Sequence, residues 1–226
     1  EQIQQLSLCE GFAACLLPKI LKDEIGKTVK HAASFIPDNS IKDLSLQPIA
    51  SASAKGVIDY TPFHGIITTI MQAIPKKIVC DVIYKSLKSK DPRKFIIAPM
   101  RLLSYHNAMY VECWRFKNDC DKKIMQPMTL AVQRIESLNP TRKRHKICDL
   151  PESINGNFGL INSEKLRIVV NFNKDVALYI SERKWSSDQI ITTLPSGDIE
   201  LTYTANGVEE TVSWILSFGD KAEVIE

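Results

Sequence analysis

Leu166–Ile225 reads LRIVVNFNKDVALYISERKWSSDQIITTLPSGDIELTYTANGVEETVSWILSFGDKAEVI, and its periodicity decides the fold of the last third of the chain. Leu166, Ile168, Val170 and Phe172 alternate with Arg167, Val169 and Asn171, which predicts a strand. Asn173-Lys-Asp offers an N-cap to a helix carrying Val176, Ala177 and Ile180. Gln189–Leu194 predicts a second strand, and Pro195-Ser-Gly-Asp198 a hairpin turn. Ile199, Leu201 and Tyr203 alternate with Glu200, Thr202 and Thr204 in a third. Val208, Val212, Ile215 and Leu216 predict a helix ended near Gly219, and Ala222, Val224 and Ile225 a last strand. The order βαββαβ is that of a ferredoxin-like sandwich.

The segment before it has a different rhythm. Thr61-Pro62 predicts the start of a helix whose face is Ile66, Ile67, Ile70, Met71 and Ile74, broken by Pro75-Lys76-Lys77. Four apolar runs follow, Ile78–Tyr84, Phe95–Ala98, Met109–Phe116 and Met128–Val132, separated by the charged loops Lys85–Lys94 and Lys117–Lys123. One helix followed by short strands without intervening helices predicts a small β-barrel or curled sheet. Thr141-Arg-Lys-Arg-His-Lys146 is read as the solvated face of a linker, with a nucleic-acid patch as the alternative. Asp149–Gly159, with Pro151, Gly156 and Gly159, marks the next boundary.

The chain opens on a helical hairpin. Leu6, Leu8, Phe12, Leu16 and Leu17 predict a short helix stopped near Pro18. Ile20 to Ile36 keeps helical spacing until Pro37. Its apolar stripe requires a partner, either the following domain or another subunit. Ile41–Gly56 reads as a connector. The expected organisation is α+β: a helical lead-in over 1–56, a β module over 57–147 and the mixed module over 160–226.

Charge is divided unevenly along the 226 residues. The formal net charge is +3, yet Lys55–Lys146 holds 18 basic and 7 acidic residues while Leu160–Glu226 holds 6 basic and 11 acidic. A basic module beside an acidic one suits an anionic partner on the first, such as phosphate or nucleic acid. No apolar stretch is long enough to cross a bilayer as a helix, and no signal pattern opens the chain. The six cysteines form no CxxC pair and lie largely in apolar patterns, which suits a reduced, cytoplasmic protein. No phosphate-cradling glycine loop, GxSxG elbow or HExxH motif occurs, and the four histidines are scattered. Neither metal, cofactor nor enzymatic activity is expected.

Several short motifs then fall in a fixed order. Val82-Ile-Tyr-Lys-Ser86, Pro99-Met-Arg-Leu-Leu103, Met109-Tyr-Val111 and Gln133-Arg-Ile-Glu136 resemble the WYL domain of bacterial transcriptional regulators, an Sm-like β-barrel module. Met109 stands where that family usually has Trp. Val169–Phe172, Glu182-Arg-Lys-Trp185, Ser187-Asp-Gln189, Gly197-Asp-Ile-Glu-Leu201 and Trp214–Gly219 resemble the C-terminal extension called WCX. The resemblance implies a region that senses a nucleic-acid fragment, nucleotide or other anionic ligand on the basic module. It implies operator-DNA binding through a winged helix-turn-helix that this chain does not contain, and homodimerisation aided by the acidic module. Carried over residue by residue, Arg101 and Arg134 are expected to contact the anion, since a guanidinium fork fits phosphate bidentately. Tyr84 and Tyr110 are expected to offer hydroxyls or a stacking face, and Ser86 and His106 further hydrogen bonds. The alternative is a stand-alone single-stranded nucleic-acid-binding module that modulates a partner enzyme.

Overall fold

The computed structural model of the chain describes residues 2–37, 50–53, 55–87, 89–116, 125–148 and 165–226. The expected loop Lys117–Lys123, the boundary Asp149–Gly159 and most of the connector Ile41–Gly56 lie outside the described residues. The chain divides into two compact units, Glu1–Pro151 and Glu152–Glu226.

The first unit begins with α1 (Gln2–Ala13) and α2 (Lys19–Ala33). Pro18 precedes α2, where its missing N–H is no loss. Leu16 and Leu21 pack against the core of the following sheet, so that domain supplies a partner for the hairpin's apolar stripe. A 3-10 turn (Thr61–Phe63) leads into α3 (His64–Ala73). Thr61 does not cap this helix with its side chain, contrary to expectation. Asp59 takes the role: its carboxylate accepts the Thr61 N–H at 2.9 Å. Hydrogen bonding from Thr61 holds the Asp59 carboxyl below its ordinary range.

Five strands follow: β1 (Ile78–Tyr84), β2 (Arg93–Tyr105), β3 (Ala108–Phe116), β4 (Met125–Ala131) and β5 (Ile135–Arg144). They form one antiparallel sheet in the order β4-β3-β2-β1-β5. Alternation along β1 buries Cys80, Val82 and Tyr84 against Ile67 and Ile70 of α3, with Ile97, Val111, Cys113, Leu130 and Leu138 in the same core.

Three expectations are corrected here. No closed barrel forms: among the described residues no ladder joins β4 to β5, because the chain leaves β4 through a 3-10 turn (Val132–Arg134). β4 also carries Pro127, a residue suited to sheet edges. The strand expected at Phe95–Ala98 runs on to Tyr105, because a register shift between Pro99 and Arg101 absorbs the proline. The run at Thr141 belongs to a strand for most of its length: β5 extends to Arg144 by pairing with β1.

In the second unit the predicted element order stands: β6 (Leu166–Phe172), α4 (Lys174–Ser181), β7 (Ile190–Thr193), β8 (Ile199–Ala205), α5 (Val208–Leu216) and β9 (Ala222–Val224). The four strands form an antiparallel sheet ordered β7-β8-β6-β9. Asn173 caps α4, its side chain accepting the Asp175 N–H at 3.0 Å. Gly197 takes φ +88 in the Pro195–Asp198 turn and Gly219 takes φ +60 after α5, conformations that cost glycine little. Ile168, Val170, Phe172, Ile199, Leu201, Tyr203 and Ala205 form one buried face, covered by Val176, Ala177, Ile180, Trp185, Trp214, Ile215 and Phe218. Phe172 lies at the centre, edge-on to Trp214 at 5.5 Å and Phe218 at 5.1 Å. Truncating such a ring to alanine costs about 3–5 kcal/mol.

The WCX-like motif residues of this unit hold its loops together. Between α4 and β7, Gln189 accepts the backbone N–H groups of Trp185 at 2.5 Å and Ser186 at 3.2 Å and donates to the Arg183 carbonyl at 3.1 Å. Asp188 accepts from Ser186 Oγ at 2.6 Å, Thr204 Oγ1 at 2.5 Å, Thr204 N at 3.2 Å and Arg167 at 2.6 Å. These bonds, from the Ser186 and Thr204 hydroxyls foremost, pull its carboxyl down to about 2.

Candidate functional site

At the Tyr84 end of β1 the chain enters the loop that carries Lys85, Ser86 and Ser89. Lys85 N donates to the carbonyl of Arg134 at 3.1 Å, which fastens this loop to the 3-10 turn between β4 and β5. Ser89 N donates to Ser86 O at 3.2 Å, and the two hydroxyls lie 2.8 Å apart. The entry to α3 supplies the facing wall. Together these pieces enclose a groove of about 620 Å3, walled by Phe63 and Ile66 and carrying Lys85, Ser86, Gln133 and Arg134, with Glu136 as its acidic member. That volume lies in the range of small-molecule sites.

A buried tyrosine underpins the groove. Tyr60 is 2 % exposed; its hydroxyl accepts the Met109 N–H at 2.6 Å and donates to Gln133 Oε1 at 3.3 Å. The link runs from the groove into β3 at Met109, the first residue of the Met-Tyr-Val motif. Burial pushes the Tyr60 hydroxyl above its ordinary value.

The six residues expected at the site separate into distinct roles. Ser86 and Arg134 both line the groove. Tyr84 is buried in the sheet core, where its hydroxyl accepts the Ala131 N–H at 3.4 Å. His106 stands in the β2–β3 turn with φ +46, exposed, its ring edge-on to Tyr105 at 4.3 Å. Tyr110 is half-buried on β3, opposite Leu103 and Ala131. Arg101 faces Glu112 across β2 and β3, its Nε 2.5 Å from Glu112 Oε2. Glu112 is wholly buried, and its second oxygen has no partner. Arg101 therefore serves first as the counterion of a buried carboxylate, and it does not line the groove.

Lys85 and Phe63 were not singled out from sequence. Lys85 lies within the Val82–Ser86 motif and opens the charged loop Lys85–Lys94, and Phe63 lies at a helix start; neither is among the six residues expected at the site. The backbone bond from Lys85 to Arg134, across 49 positions, and the Tyr60–Gln133 bond bring the pieces together.

Chemically, the groove pairs an arginine fork and an ammonium with hydroxyls and an aryl face. Neither Lys85 nor Arg134 forms an ion pair with a described residue. Such a set suits an anion attached to a flat apolar body. Among the described residues no group of three or more His, Cys, Asp or Glu side chains is placed to hold a metal, and no helix is long and apolar enough to cross a membrane.

Fold and groove define a mixed α+β protein with two antiparallel-sheet units, the first carrying a cationic, apolar-walled groove. Residues 65–140 match the WYL domain and residues 164–226 the WCX domain, so the chain carries a WYL domain followed by a WCX domain. No curated protein matches it significantly in sequence. Among solved structures it is similar to proteasome accessory factor B/C of Arthrobacter aurescens, at 14% identity and a TM-score of 0.36, over 90% of this chain and 33% of that one. It thus spans about a third of that protein's length. It is also similar to a CRISPR Cas-related protein, at 12% identity and a TM-score of 0.54, over 93% of this chain and 69% of that one, a likeness of fold.

Proposed function

We propose that this chain is the ligand-sensing and dimerising region of a bacterial, cytoplasmic DNA-binding transcriptional regulator, without enzymatic activity or cofactor. In this reading the five-stranded sheet is a WYL unit of Sm-like descent that reads an anionic ligand, a nucleotide or nucleic-acid fragment. The WCX unit is ferredoxin-like and couples that event to the arrangement of two subunits, biasing operator binding by a winged helix-turn-helix elsewhere in the full protein. The observation that carries the reading is the groove itself: Arg134, Lys85 and Ser86 converge beside Phe63 with no ion-pair partner for either cation among the described residues. Arg134 takes the phosphate, Lys85 adds charge, and Phe63 stacks on the base.

Calorimetric titration with mononucleotides and short single-stranded DNA tests it. Arg134→Ala is expected to weaken binding at least tenfold, since charge-assisted hydrogen bonds contribute about 1.5–3 kcal/mol. Arg101→Ala is expected to leave the affinity of the folded fraction within about twofold. Absence of binding by the unaltered chain, or equal loss in both variants, overturns the assignment. Light scattering tests the dimer.

A further inference from the structure

The run Thr141–Lys146, read from sequence as a linker, lies outside the groove and outside the function argued above. The structure gives most of it a fixed place. Ile78 of β1 pairs with Arg144 of β5, and the His145 N–H donates to the Lys77 carbonyl at 2.9 Å. These contacts bring Lys76 and Lys77 beside Arg142, Arg144 and Lys146. Two basic runs separated by some sixty positions therefore meet at one corner of the sheet. All five side chains belong to exposed residues, and none forms an ion pair with a described residue. The only acidic residues of these two strands are Asp81, opposite Asn139, and Glu136 at the far end of β5.

The corner is held by its own framework. Between the pairs Cys80–Pro140 and Ile78–Arg144 the register shifts by two extra residues on β5. Thr141 closes this bulge: its hydroxyl donates to the Val79 carbonyl at 2.7 Å and accepts the Lys143 N–H at 3.1 Å. His145 is buried beneath, and burial, with the nearby Lys77 charge, lowers its pKa. The groove begins after Tyr84, at the other end of β1, roughly 20 Å away along seven residues of strand.

We propose that this corner is a second anion surface, which binds the phosphate backbone of a nucleic acid without regard to base sequence. Protection of an exposed sheet edge accounts for a charge or two. It does not account for two runs of one sign brought together where, among the described residues of β1 and β5, the acidic side chains are only Asp81 and the distant Glu136. Their exposure suits an extended polyanion rather than an enclosed small ligand.

The test uses the full chain and a short fluorescein-labelled DNA duplex of arbitrary sequence, titrated by anisotropy from low to moderate salt. R142A/R144A is expected to flatten the slope of log affinity against log salt by about 1.8, a roughly tenfold smaller loss of affinity over a fourfold rise in salt. K76Q/K77Q, on the other strand, is expected to do the same, which guards against a folding defect in one variant. R134A is expected to leave the slope unchanged, so failure of the groove and failure of the corner read out separately. Slopes equal to the unaltered chain in both corner variants overturn the proposal, as does absence of duplex binding at low salt. If R142E/R144E instead abolishes self-association while duplex binding persists, the occupant is an acidic protein surface of a second copy and the nucleic-acid proposal falls.

Discussion

Replacing Arg101 with alanine removes the sole hydrogen-bonding partner, among the described residues, of a carboxylate that is wholly out of water. Glu112 is 0 % exposed, Oε2 meets Arg101 Nε at 2.5 Å, and Oε1 meets nothing. Breaking a buried pair by deleting one partner costs about 3–5 kcal/mol. The Arg101 side chain is 37% exposed, so water reaches part of the vacated space and the lower end applies, about 3 kcal/mol. That is over a hundredfold in the unfolding equilibrium. Glu112→Gln keeps the shape, removes the buried charge and returns the guanidinium to solvent, and is expected to cost about 1 kcal/mol or less. In R101A/E112Q most of the R101A loss should return, because no unpaired charge is left buried. The assay is urea unfolding, with hydrogen exchange of β2 and β3 peptides assigning the transition to the first unit. An R101A cost below about 1 kcal/mol, equal to that of E112Q, would refute the reasoning and make this an ordinary surface pair.

Two further outcomes follow from other contacts. Asp188→Asn should destabilise the second unit by about 1–2 kcal/mol, a figure discounted for exposure. The folded carboxyl lies at about 2 against an ordinary 3.8, so its stabilisation is complete above the unfolded value and is lost as pH falls from about 4 towards 2. Acid unfolding followed by tryptophan fluorescence checks this, and equal acid sensitivity of D188N and the unaltered chain would contradict it. Tyr60→Phe leaves the buried Met109 N–H without its 2.6 Å partner, and should cost about 1–3 kcal/mol with faster exchange at that amide; unchanged exchange would argue against the bond.

The second unit was legible from sequence because its strands alternate cleanly: β8 buries every other residue from Ile199 to Ala205, as its pattern announces. The first unit was legible in its apolar strands and less so at its ends. β5 carries Asn139-Pro-Thr-Arg-Lys-Arg144, which has no apolar alternation, and only pairing with β1 makes it a strand. The full length of β2 is hidden in the sequence because Pro99 signals a strand end, while the adjacent bulge lets the ladder continue. The site divides in the same way. Arg134, Ser86 and its neighbour Lys85 belong to recognisable motifs, but Phe63 joins them only through tertiary contacts. The pairing of Arg101 with Glu112 was not legible, because nothing local marks Glu112, eleven positions on, as its opposite in the ladder.

The position of β5 at the sheet margin carries one more consequence. Among the described residues no strand covers its outer edge, a row of backbone donors and acceptors of the kind on which foreign strands assemble. Two copies whose β5 edges paired about residue 143 would set Arg142 and Arg144 of one against the same cations of the other, and that repulsion opposes such a pairing of the margin. A polyanion lying along it would lift the repulsion, so DNA in substoichiometric amount should promote clustering of this chain, whereas excess DNA, coating every copy singly, should disperse it.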